Sequence, residues 1–169
     1  MKKTLFVVLV AVFVLCFAYL ANAIHDTEPS GTQHIGPSAN AAKLYIYITK
    51  SAPYEKSFKL WPGKEKLYPG KEPHGSFLTT YVNDTALDSL RSMGEMADGS
   101  IIVNEDYNAD KKLQALTVMY KTKGFNPEAG DWFWAKYDAL NGYVLDSGKP
   151  ESCMACHDSK KDNSYLFSK

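Results

Sequence analysis

Between residues 76 and 148 the chain is cut by turn signals at short intervals. They are Asn83-Asp84, Asp98-Gly99, the polar run 108–112, the loop 124–130 and Asn141-Gly142. The stretches between them, 76–83, 100–107, 113–123, 131–138 and 143–148, are rich in β-branched and aromatic residues, as strands are. Parallel neighbours need a crossover of a dozen or more residues, and these connections are mostly too brief for one. The strands must therefore pair mainly antiparallel. The stretch 85–93 (TALDSLRSM) fits a short helix with Asn83 or Asp84 as its N-cap. The expected fold is mainly β, of the α+β type: an antiparallel sheet with a few short helices and a C-terminal CxxCH segment.

Upstream the signals are weaker. Leu44, Tyr47 and Ile48 recur at the spacing of one helix face, while KLYIYIT at 43–49 also alternates as a strand would. Helix is the preferred reading. Residues 62–75 hold three prolines and three glycines and predict a long ordered loop. Residues 24–40 are polar and rich in Gly, Pro, Ser and Thr, and read as a flexible linker. At the start, Lys2 and Lys3 precede an apolar run from Leu5 to Tyr19 and then Ala21-Asn22-Ala23, a signal-peptide pattern cleaved after Ala23. The run falls short of the ~20 residues of a bilayer span, so export to the periplasm is expected over a retained N-terminal anchor. Leu15 before Cys16 is too large for a lipidation site. The domain expectation is thus a signal peptide at 1–23, a linker at 24–40 and a folded domain at 41–169.

Export and cleavage would leave two of the three cysteines, Cys153 and Cys156, and these stand in Cys153-Met154-Ala155-Cys156-His157. Thiols at i and i+3 share one helical turn and reach the two vinyl groups of a haem. The histidine next in the chain lies under the iron as its axial ligand. A disulfide, a redox CxxC pair and half a zinc site are the competing readings. Zinc would need two more ligands, with no second Cys pair to supply them, and redox pairs sit near the start of a βαβ unit. One motif predicts one covalently attached haem c, held by Cys153 and Cys156 and ligated by His157. The 19 basic residues balance the 19 acidic ones, and Arg91 is the only arginine, so nucleic acid is not an expected partner.

Function then turns on the sixth iron position, since a second strong ligand makes an electron carrier and an open site binds or transforms small molecules. Candidates are His25, His34, His74, Met93, Met96 and Met119. His25 and His34 fall in the linker, and the methionines read better as packing or turn residues. His74 reads as a turn residue or a distal-pocket group. No candidate dominates, which favours an open iron. Alternation puts Trp132 and Trp134 on one face of their strand and Phe133 on the other. Such rings serve as core or as an apolar haem wall. Glu105, beside Asn104, reads as a strand-end residue or as a polar group aimed at the distal site.

WPG at 61–63, PHG at 73–75, TYVN at 80–83, DGSIIV at 98–103, TVMYK at 117–121, GFNPE at 124–128, GDWFW at 130–134 and the terminal CMACH occur in that order. This set resembles the cytochrome P-460 family, which includes the cytochromes c-prime-beta, over nearly all of residues 41–167. The resemblance implies a mostly antiparallel β fold and a C-terminal CxxCH haem with five-coordinate, high-spin iron. Members with a lysine cross-linked to the haem oxidise hydroxylamine and nitric oxide. Members without it bind nitric oxide and carbon monoxide. At the position of that lysine this chain has Asn104, whose amide cannot make the same bond, and Lys111, Lys112, Lys121 and Lys123 do not match it. Glu105 matches an acidic neighbour of the lysine. His74, Phe77, Asn104 and Glu105 are the distal-pocket candidates.

The expectation is an exported monohaem cytochrome whose open iron takes nitric oxide or a similar small ligand. Oxidation of hydroxylamine or nitric oxide is the alternative, and six-coordinate electron transfer the second. Expected partners are the nitrogen-oxide or diatomic ligand and a periplasmic redox protein, with a homodimer left open.

Overall fold

The computed structural model describes residues 36–167. The signal-peptide expectation, most of the linker, and the candidate ligands His25 and His34 lie outside the described residues. Among the described residues no helix is long and apolar enough to cross a membrane.

The helix preferred over the strand for 43–49 is present. Helix α1 (Ala41–Ile46) is capped by Asn40, whose side chain accepts from the Lys43 N–H at 3.0 Å. It widens into a π-turn over Tyr47–Ser51, where Thr49 Oγ1 bonds back to the Tyr45 carbonyl at 2.7 Å. Leu44 and Ile48, four apart, are both fully buried. Next come a one-turn helix α2 (Tyr54–Ser57) and two short strands, β1 (Lys59–Leu60) and β2 (Tyr68–Pro69); β2 and turns occupy much of the expected 62–75 loop.

Five longer strands form an antiparallel meander: β3 (Phe77–Val82), β4 (Ile101–Tyr107), β5 (Leu113–Lys121), β6 (Trp132–Asp138) and β7 (Val144–Gly148). The short strands β1 and β2 both pair with the free edge of β3, completing seven strands in one sheet. Helix α3 (Asp84–Arg91) interrupts the meander after β3. Asn83 is its cap, and Asn83 Oδ1 accepts from both the Ala86 and Ile101 N–H groups, at 3.0 and 2.9 Å. One side chain therefore starts the helix and ties it to the first residue of β4. The β6–β7 hairpin closes through the four residues 139–142, because Asp138 Oδ1 takes the N–H groups of Leu140 and Asn141.

Each strand has two faces, and both are covered. Tyr81, Ile101, Val103, Leu116, Val118, Tyr120, Phe133, Ala135 and Tyr137 pack under α1 and α2 around Leu44, Ile48 and Tyr54. The other face carries Val82, Ile102, Met119, Trp132 and Trp134, joined by Trp61, Ala86, Leu87, Met96 and Leu166. Trp132 and Trp134 thus share one face and Phe133 takes the other, as alternation predicts. Helix α4 (Glu151–Asp158), which contains the CxxCH residues, packs on this second face through Cys153 and Met154.

Candidate haem-binding site

Helix α4 carries no fully buried residue. Its position is set by the C-terminal tail, residues 159–167. Ser164 and Tyr165 both adopt positive φ and turn the chain back beneath the helix. Trp132 Nε1 donates to the Ser164 carbonyl at 3.0 Å, and Tyr165 donates its hydroxyl to the Glu128 carbonyl at 3.2 Å. Leu166 is buried in the second-face core. This anchored tail brings the Tyr165 carbonyl to 2.6 Å from His157 Nδ1. A carbonyl only accepts, so Nδ1 carries the proton and Nε2 keeps the lone pair. That is the tautomer a metal-ligating histidine needs. Burial pushes the imidazole pKa below its ordinary value, partly offset by the Tyr165 carbonyl.

Cys153 and Cys156 are free thiols one helical turn apart, the first half-buried and the second exposed. Burial raises the Cys153 thiol pKa. Two cavities open between α4 and the sheet. One, of about 380 Å³, has Trp61, Tyr68 and Phe167 in its wall. The other, of about 360 Å³, has Trp134, Lys136 and Cys153. His157, Cys156, His74, Asn104, Ile102 and Met119 line both. Each volume lies within the range of roughly 300–1,000 Å³ typical of small-molecule sites.

The structure brings two of the four distal candidates into this space. His74 stands on the loop between β2 and β3, closed by the Gly70 N–H bonded to the Ser76 carbonyl at 2.9 Å. Gly75, next to it, has φ +92°, and an added Cβ there would lie 2.5 Å from the Tyr107 carbonyl oxygen, so the loop hugs the end of β4 as only glycine permits. The His74 and His157 ring centres are 6.3 Å apart. His74 Nδ1 lies 3.2 Å from Thr117 Oγ1 and 3.6 Å from Asp106 Oδ2, the latter a charge contact too long for a hydrogen bond. Burial raises the Asp106 carboxyl pKa, against the pull of His74 and Thr117. Asn104 sits mid-strand on the cavity face. Tyr68 donates to Thr80 Oγ1, and Thr80 donates to Asn104 Oδ1, each at 2.6 Å. That chain leaves the Asn104 amide N–H₂ for the cavity.

Glu105 and Phe77 are elsewhere. A strand's side chains alternate, so Glu105 points away from Asn104, into the α1/α2 side of the sheet. It is buried there, accepting from Tyr54 at 3.0 Å and Tyr107 at 2.8 Å. Burial and this carboxylate push both phenol pKa values well above the usual range. Phe77 pairs with Tyr107 on that same side, under the Lys111 ammonium. Among the methionines, Met93 is 84% exposed and Met96 is core, while Met119 belongs to the cavity floor.

Sequence reasoning missed Thr80, Asp106, Thr117 and Tyr68. A signal existed for three of them: Thr80, Asp106 and Thr117 are polar and share, with Asn104, the face of β3, β4 and β5 on which register places them. The Tyr165 carbonyl had no signal, being a backbone atom placed by a turn.

These residues fit a covalent haem. Paired thiols and an imidazole with a free Nε2 meet at two apolar-floored cavities. Lys64 and Lys71 at one cavity and Lys136 at the other can meet propionate carboxylates. Trp134 Nε1, in the second cavity's wall, is buried without a partner, a donor left for a bound group. Compared with known families, residues 54–168 match the family Cytochrome P460. No curated protein gives a significant match.

Proposed function

Because the chain belongs to the cytochrome P460 family, we propose that it is an exported monohaem c-type cytochrome whose distal face takes nitric oxide or a similar small ligand. One observation carries the reading. The Tyr165 carbonyl holds the His157 proton on Nδ1, leaving Nε2 free on a ring that lines both cavities together with Cys156. Cys153 and Cys156 anchor the porphyrin through thioethers, and His157 is the proximal ligand. The bound haem supplies an iron that exchanges electrons and binds diatomic molecules. The protein's part is placement and polarity. Ile102 and Met119 keep the cavity floor apolar, which favours neutral ligands over hydrated anions. The Asn104 amide offers a fixed donor, oriented by Thr80 and Tyr68.

Hydroxylamine oxidation through a lysine-linked haem is disfavoured by this same residue. Asn104 occupies the cavity-facing position, and its amide lacks the nucleophilic amine that such a link requires. The test is a titration of the reduced protein with nitric oxide and with carbon monoxide. One ligand per haem, with haem that resists acid–acetone extraction, is the expected result. Turnover of hydroxylamine with an artificial acceptor would replace this reading with the enzymatic one. The mature protein should begin at Ile24 in the periplasmic fraction.

A further inference from the structure

With the haem placed as proposed above, on which this reading rests, the proximal side of the iron is backed by the strap of chain that follows α4, residues 159–167. We infer that Trp132 is a positioning residue for the proximal ligand: through this strap it fixes the Tyr165 carbonyl against His157 and so sets the strength of the iron–histidine bond.

Three observations converge. The first is where the backbone bonds of the strap go. Tyr165 lies between two peptide units, and each has both of its polar groups bonded. Before it, the Ser164 carbonyl accepts from Trp132 Nε1 at 3.0 Å, and the Tyr165 N–H donates to the Lys160 carbonyl at 2.8 Å. After it, the Leu166 N–H donates to the Asn163 carbonyl at 3.0 Å, and the Tyr165 carbonyl faces His157 Nδ1 at 2.6 Å. Of the three bonds that support that carbonyl, two join residues of the strap to one another. The Trp132 bond is the one that ties these peptides to the sheet.

The second is the backbone. Ser164 and Tyr165 adopt φ of +56° and +65°, consecutive left-handed residues, neither of them glycine. That conformation is costly for a residue with a Cβ and persists only where its surroundings over-determine it. Here the surroundings are Gly130 and Trp132. Gly130, at φ +63°, leaves the space that the Tyr165 ring fills, since a Cβ there would lie 2.5 and 2.8 Å from two ring carbons. Lys121 Nζ donates to the Gly130 carbonyl at 2.6 Å and pins that loop to β5. Trp132 is fully buried, and its indole N–H is spent on the Ser164 carbonyl.

The third is what the carbonyl does to the ring. At 2.6 Å the bond from Nδ1–H is short, and it draws the proton toward the oxygen and makes Nε2 a stronger donor to a metal. A stronger axial donor favours ferric over ferrous iron and stiffens the iron–histidine bond. Phe167, at the end of the strap, stands edge-on to the imidazole with ring centres 5.1 Å apart, so the same segment also limits how the ring turns. Trp132 lines neither cavity, so its effect on the iron passes through the strap.

The experiment is resonance Raman spectroscopy and redox potentiometry of the purified haem-loaded protein, wild type beside Trp132→Phe, Gly130→Ala and Leu87→Ala. Trp132→Phe keeps an aromatic ring in the core and removes the N–H. Its iron–histidine stretching band should move to lower frequency, and its reduction potential should rise. Gly130→Ala crowds the Tyr165 ring, leaves the indole in place, and should move both readouts the same way, which keeps the inference testable where Trp132→Phe does not fold. Leu87→Ala opens the same second-face core without removing any of these hydrogen bonds. It should lower the melting temperature and leave band and potential at their wild-type values. Wild-type band and potential in Trp132→Phe or in Gly130→Ala overturn the inference, and so does a Leu87→Ala protein that moves them as far. The two readings fail separately. A wild type that binds neither carbon monoxide nor nitric oxide, with both readouts shifted in Trp132→Phe, would keep this inference and remove the small-ligand function. Binding of both gases, with band and potential unmoved by the substitution, would do the reverse.

Discussion

Asn104 and Glu105 are consecutive residues of one strand, yet they live under opposite rules. Glu105 faces the α1/α2 side, where both of its oxygens are taken by tyrosine hydroxyls and the surrounding core is apolar. Asn104 faces the α4 side, where two buried polar atoms, Trp134 Nε1 and Asp106 Oδ2, have no hydrogen-bond partner, and His157 keeps a free Nε2. A folded protein pairs nearly all of its buried polar groups. A face where several stay unpaired around a cavity is built for something to be added. The closed face holds the fold, and the open face carries the candidate site.

The sharpest way to break this contrast is to remove what completes the open face. Cys153→Ala combined with Cys156→Ala should abolish covalent haem altogether, read as loss of haem staining on a denaturing gel. The closed face does not touch those thiols, so the antiparallel sheet should survive by far-ultraviolet circular dichroism. Loss of the sheet along with the haem would show that the open face is also part of the structural core.

On the closed face the effect should be confined to stability. Glu105→Ala removes the carboxylate that accepts from Tyr54 at 3.0 Å and Tyr107 at 2.8 Å, leaves Tyr54 only the long 3.5 Å contact to Glu55, and should cost about 2–4 kcal/mol. A melting temperature lower by roughly 10 °C is the expected readout. The haem spectrum of the folded protein should be unchanged. A spectral shift would mean that Glu105 acts on the pocket through the sheet.

The two faces were legible in the sequence to different depths. Turn signals and strand composition were enough for the antiparallel sheet, because each hairpin is a local event. The CxxCH residues were legible because their spacing is itself the chemistry. Asn104 was singled out through the resemblance, and its side chain faces the cavities. Glu105 was the counterpart: adjacency in sequence suggested a shared pocket, while the period of two sends neighbours to opposite faces. Phe77 went the same way, one residue out of phase with Leu78, which lines the first cavity. His74 was ambiguous because a Pro/Gly loop has no periodicity to orient it. Only the distant contacts to Thr117 and Asp106, from β5 and β4, fix its ring.

Thr80→Val tests the open face by the same logic as Glu105→Ala. It is close to isosteric and breaks the chain from Tyr68 through Thr80 to Asn104. The expected cost is about 1–2 kcal/mol, from one lost hydroxyl and its two partners. Unlike Glu105→Ala, it should also alter the affinity of the reduced protein for carbon monoxide, since the Asn104 amide is then free to rotate. Unchanged affinity would reduce Asn104 to a wall residue.

The smallest change is the most discriminating. Thr117→Val removes one hydroxyl of similar volume from β5. Asp106 Oδ1 loses the donor at 3.1 Å, and His74 Nδ1 loses the acceptor at 3.2 Å. Stability should fall by only about 0.5–1.5 kcal/mol, the worth of an ordinary hydrogen bond. Ligand binding should respond more than the stability does. Without Thr117 the His74 ring loses its hydrogen bond to β5 and is free to turn. The affinity of the reduced protein for carbon monoxide should then change, because His74 lines both cavities. A structural role for Thr117, packing and nothing more, would lower the melting temperature and leave that affinity untouched. The ratio of those two responses measures how far the open face is organised around the iron rather than around the fold.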